Sequence, residues 1–180
     1  MQPGHIFISH ATKDDAFVKE LRIALESLRL PVWADSRNLR GGNKLAAEIN
    51  QALEEARQVL VVLSPNTVNS PWVRKEISKA LEIEKQRQAE GFRVIPLLLP
   101  GIEHSALPLW FDEEPIGVRV QLTTGGLSAA LPQILAALGE QMPNDFQPDQ
   151  NVDGRPVEEH VLKLVDPQIV PHEGKHRESA

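Results

Sequence analysis

Glu76 has the sequence surroundings richest in possible chemistry. It closes the run Ser70-Pro-Trp-Val-Arg-Lys-Glu76, four residues after Trp72. Helix residues four apart share a face, so the spacing sets an indole beside a carboxyl group. An apolar neighbour disfavours the ionised carboxyl, an environment that tunes such groups for acid–base work. Val73, Ile77, Ala80, Leu81 and Glu84 recur around the pair at helical spacing, with Ser70 as cap and Pro71 at the first helical position. The Trp72–Glu76 face lies beside this stripe, which predicts Glu76 at the rim of a crevice. The plainer reading is a solvated glutamate paired with Arg74 or Lys79 and a tryptophan used for packing.

Other small polar residues cluster where apolar runs end. They are Ser9-His10-Ala11-Thr12, Trp33-Ala34-Asp35-Ser36 and Ser64-Pro65-Asn66. Alone, His10 reads as a half-buried histidine and Asp35 as turn chemistry. Their common place after strands gives them weight, because an open α/β sheet binds ligands beyond the carboxyl ends of its strands.

The elements that must position these residues follow from the apolar pattern. His5-Ile-Phe-Ile-Ser9, Val59-Leu-Val-Val-Leu63 and Val94-Ile-Pro-Leu-Leu-Leu99 are continuous apolar runs, as expected of strands buried on both faces. Pro96 predicts a bulge or a free side in the third. Pro31-Val-Trp33 is a shorter strand, and Val118, Val120 and Leu122 alternate as an edge strand does. Helices are predicted over 14–28, 44–56 and 72–88, with Thr12 capping the first. A further stripe, Leu131, Ile134, Leu135 and Leu138, marks the last. The alternation implies a flavodoxin-like α/β three-layer sandwich with a five-stranded parallel sheet over residues 4–140. Residues 141–155 read as a polar linker, and 156–180 as a tail or the start of a truncated following domain.

Composition narrows the function. The 180 residues, 41% apolar and 24% charged, suit one globular domain with chain to spare. Without cysteine there is no disulfide, thiolate metal ligand or thiol nucleophile, and a reducing cytoplasm is the expected location. A net charge of −6 argues against a broad nucleic-acid surface. No run of about 18 apolar residues exists to span a membrane, and the start lacks the pattern of a secretion signal. Gly-x-Gly-x-x-Gly, a Walker loop and Gly-x-Ser-x-Gly are all missing, and Ser64 stands where a response-regulator receiver needs aspartate.

Four blocks in order resemble Toll/interleukin-1 receptor (TIR) domains of bacterial type. They are Phe7-Ile-Ser-His10, then Val32-Trp-Ala-Asp35 with Asn38-Leu-Arg-Gly-Gly42, then Val61-Val-Leu-Ser-Pro65, and the Trp-x-x-x-Glu helix at Trp72–Glu76. The resemblance implies cleavage of the nicotinamide–ribose bond of NAD as substrate, with no cofactor or metal. It makes Glu76 the catalytic residue and sets Trp72 near the nicotinamide ribose. Ser9, His10 and Ala11 after the first strand and Asp35 before the so-called BB loop (residues 35–44) become substrate-binding positions. Well-studied animal members carry arginines where this chain has Ala11 and Thr12. Lys13, Arg37 and Arg40 are the nearby cations for the phosphates.

The resemblance further implies a glycohydrolase or cyclase active when copies self-associate through residues 35–44, acting in bacterial anti-phage immunity, with a possible C-terminal sensor or effector domain. Water as acceptor gives ADP-ribose, and adenine as internal acceptor gives a cyclic product. The alternatives are a non-catalytic TIR adaptor and a nucleoside deoxyribosyltransferase-like enzyme.

Overall fold

The computed structural model describes residues 4–34, 42–112, 115, 117–119 and 126–143, with the side chains of 42–46 excepted. Its elements run β1 (Ile6–Ser9), α1 (Asp15–Ser27), β2 (Val32–Ala34), α2 (Gly42–Glu55), β3 (Gln58–Leu63), α3 (Pro71–Arg87), β4 (Val94–Leu98), β5 (Val118–Arg119) and α4 (Gly126–Ala137). Short 3-10 turns cover Thr12–Asp14, Gln88–Glu90 and His104–Leu109. The sheet is parallel throughout, in the order β2-β1-β3-β4-β5. The flavodoxin-like α/β sandwich expected from the alternation is therefore the fold.

The strands are continuous apolar runs because each face meets a helical layer. Ile6, Ile8, Leu60, Val62, Ile95 and Leu97 join a core with α1 and α4. Phe7, Val59, Val61, Leu63, Val94 and Leu98 join a second core with α2 and α3. Side chains alternate across a strand with period two, so both faces of the central strands are dry. Each fully buried Leu or Ile contributes roughly 1.5–3 kcal/mol.

Pro96 is accommodated by register. It pairs with Val61 of β3, while the ladder to β5 starts one residue later, at Leu97 and Val118. Among the described residues Pro96 has no ladder pair on the β5 side, although Gly117 runs beside it.

Two expectations change. Asp14, not Thr12, is the residue that precedes α1. Thr12 opens the 3-10 turn, and α1 begins at Asp15 behind Asp14, whose side chain makes no capping bond because its carboxylate is bound elsewhere. The loop before α2 is also shorter than 35–44, since Gly42, Asn43 and Lys44 are already helical. Asp35, Arg37, Arg40, the rest of that loop, Val120, Leu122, the linker from 144 onward and the tail 156–180 lie outside the described residues.

Candidate active site

Strand order reverses between β1 and β3, and the crevice of such a sheet opens at their carboxyl ends. The first residues to leave those ends are Ser9 and His10 from β1 and Ser64 from β3. All three are polar and almost fully buried.

Pleating decides which way the two serines face. Ile8 points into the α1/α4 core, so Ser9 returns to the side of Phe7, where α3 lies. There the Ser9 hydroxyl donates to Oε2 of Glu76. Leu63 points toward α3, so Ser64 turns to the opposite side and its hydroxyl donates to Oδ2 of Asp14 at 2.6 Å.

α3 brings Glu76 to Ser9. Ser70 accepts from the Val73 backbone N–H at 3.4 Å and Pro71 follows at the first helical position, so the helix starts where the sequence places it. Val73, Ile77, Ala80 and Ile83 bury its inner face, and Glu76 lies among them at 4% exposure. The carboxylate therefore sits inside the protein, and the expected rim position is corrected. Lys79 turns its ammonium to Glu54 at 3.6 Å, and Arg74 donates to the Val68 carbonyl. Trp72, half-buried, packs on the core beside α3. Glu84, expected in the stripe, instead accepts the Val94 backbone N–H at 3.0 Å.

After β1 the chain is held by two acids. His10 Nε2–H donates to Asp15 at 2.8 Å. Asp14 accepts from Ser64 and, at 2.7 Å, from the Asn66 side chain, while Thr67, also buried, donates to the Ser64 carbonyl at 2.7 Å. Ala11 is buried and Lys13 is exposed. Gly101, in the left-handed region at φ +92°, lets the loop after β4 pass over Pro65. Trp33 of β2 stacks on Phe7 with centroids 4.8 Å apart.

The structure brings Ser9 and Glu76 together; His10 and Ala11 follow Ser9 at the end of β1, with His10 bound to Asp15, and Trp72 lies one helical turn before Glu76 on α3. Asp14 and Asn66 are the residues that sequence reasoning did not single out as partners. Their only signal is position, since each follows a strand that ends at the crevice. Among the described residues, no group of three or more His, Asp or Glu is placed to hold a metal ion, and no helix is long and apolar enough to cross a membrane.

Comparison with known proteins follows the same segment. The sequence model of the TIR domain matches residues 6–127. A protein of Bacteroides thetaiotaomicron named 2' cyclic ADP-D-ribose synthase BtTIR is 31% identical over 105 residues, covering 58% of this chain and 31% of its own. An archaeal protein of Theionarchaea named NAD(+) hydrolase TcpA is 35% identical over 98 residues, covering 54% and 29%. The chain spans about a third of the length of these curated relatives. Among solved structures, the TIR domains of the activated Roq1 resistosome superpose with a TM-score of 0.59 at 21% identity, covering 75% of this chain and 99% of theirs. A metazoan TIR-STING receptor from C. gigas gives 0.57 at 21%, covering 78% and 41%. Both likenesses concern the fold.

Proposed function

This chain belongs to the TIR domain family, and from that premise we propose that it breaks the nicotinamide–ribose bond of NAD with Glu76 as the catalytic carboxylate. The observation that carries the reading is the burial of that carboxylate at the ends of β1 and α3, where strand order reverses. Relatives named for NAD hydrolysis and for cyclic ADP-ribose synthesis support the same reading.

In the proposed reaction the bond from ribose C1′ to the pyridinium nitrogen breaks. Its electron pair passes to nicotinamide, which leaves neutral. Positive charge moves onto the ribose as an oxocarbenium-like state, as in glycoside cleavage. A carboxylate fixed in a water-poor site stabilises that charge as it develops. Water then adds to C1′ and releases a proton, or an internal nucleophile of the ADP-ribosyl unit closes a ring. Trp72, His10, Ala11 and Asp35 are the proposed substrate-binding residues. Copies assemble through residues 35–44 to complete the site, in the cytoplasm, in bacterial immune signalling, with a C-terminal sensor or effector domain as a possible partner.

The test is incubation of the concentrated chain with NAD while free nicotinamide, ADP-ribose and cyclic product are followed. Release that disappears in Glu76→Gln supports the proposal. A wild-type chain that stays inert when forced to assemble overturns it in favour of a pairing module without catalysis.

A further inference from the structure

We infer that Ser9 is a positioning residue: its hydroxyl fixes the orientation of the Glu76 carboxylate rather than binding substrate. The inference rests on the proposed catalytic role of Glu76.

The two side chains come from elements 67 residues apart in sequence. Ser9 is 1% exposed and Glu76 is 4% exposed, so their hydrogen bond is shielded from water. The Ser9 hydroxyl has one hydrogen to donate, and it goes to Oε2 of Glu76. A bond to an ionised acceptor is among the stronger kinds. Glutamate has three side-chain torsions, and Val73, Ile77 and Ala80 are the buried residues of α3 around its backbone. Anchoring Oε2 to β1 sets the turn of the carboxylate, and with it the oxygen presented to the ribose.

The chemistry makes orientation costly to lose. A group that stabilises charge only as it develops must already stand in place, because reorganising during the reaction forfeits its advantage. Ser9 therefore acts on kcat, whereas a residue holding the ribose or phosphates in the ground state acts on KM.

The experiment compares the full chain with Ser9→Ala, Ser9→Cys and Glu76→Gln, using NAD under conditions that allow assembly. Ser9→Ala is expected to lower kcat by about 10- to 100-fold, the effect of a lost hydrogen bond to a charged group, with KM within about threefold of wild type. Ser9→Cys, with a similar shape and a weaker donor, is expected to fall between. A raised KM with intact kcat, or unchanged kinetics, overturns the inference. Should Ser9→Ala fail to fold, Ser9→Cys is judged against the same outcomes. Crystal structures of wild type and Ser9→Ala give a readout independent of turnover. More than one Glu76 carboxylate orientation in the variant supports the inference, and a single unchanged one overturns it. Full activity in Glu76→Gln would instead remove the functional reading itself, whatever Ser9 does.

Discussion

Ser64 and Asp14 join the loops after β3 and β1 through a buried hydrogen bond of 2.6 Å. Asn66 completes the joint from the same loop as Ser64. The bond accepts at a carboxylate, so its loss costs about 1.5–3 kcal/mol. Ser64→Ala is expected to lower Tm by roughly 4–8 °C in a thermal melt, and Asp14→Ala by more, because it strands two donors. A Tm unchanged in both variants would show that the two loops are held by packing alone.

Glu76→Gln separates function from stability. The amide oxygen still accepts from Ser9, while the cost of burying a charge disappears. NAD cleavage is expected to fall about 100-fold or more while Tm stays at or above the wild-type value. The exposed Glu48, Glu54 and Glu55, changed in the same way, are expected to keep activity. A Tm well below wild type would mean that the charge holds the fold together.

His5 supplies a pH dependence. Burial pushes its imidazole below the ordinary 6.5, against the opposing effects of its bond to the Ala52 carbonyl and of Glu55. As pH falls through 6.5 the unfolded chain takes up a proton before the folded chain does, so acidification favours unfolding. Tm should fall between pH 7 and the lower folded value, and more gently in His5→Phe. Equal slopes in the two proteins would exclude His5 as the cause.

Gly101→Ala tests the crossing of two site loops. At φ +92° an L residue is strained, and its Cβ would lie 2.8 Å from Cγ of Pro65. A loss of at least about 1–2 kcal/mol is expected in urea denaturation. Unaltered stability would show that the loop after β4 moves aside freely.

Gly42→Trp addresses assembly. Gly42 is the first residue of α2 and lies within residues 35–44, the segment proposed to contact a second copy. Cleavage of NAD is expected to drop with the melting curve unchanged. Full activity at every protein concentration would argue against a composite site.

Much of this architecture is legible in the sequence because it follows from local pattern. Val59-Leu-Val-Val-Leu63, short, rich in β-branched residues and wholly apolar, suits a strand covered on both faces, and Ser70-Pro71 matches the start of α3. What escapes is pairing at a distance. Nothing near Glu76 in sequence announces Ser9, and a charged residue beside an apolar stripe is ordinarily placed at the surface. In its buried place it accepts a hydroxyl delivered by another element. Thr12 misleads for a related reason: the pattern of a cap is present, but Asp14 is drawn away to Ser64 and Asn66, and a tighter turn precedes the helix.

The stack of Trp33 on Phe7 gives the protein a spectroscopic use. The chain has no tyrosine and only three tryptophans, so its near-ultraviolet emission comes from those indoles. Trp33 is stacked in the sheet, Trp110 is buried after β4, and Trp72 stands one helical turn before Glu76. Replacing Trp33 and Trp110 with phenylalanine leaves a single emitter on α3. Its wavelength and quenching then register a nicotinamide ring arriving at the proposed site, before any bond is broken and even in a variant that cannot break it.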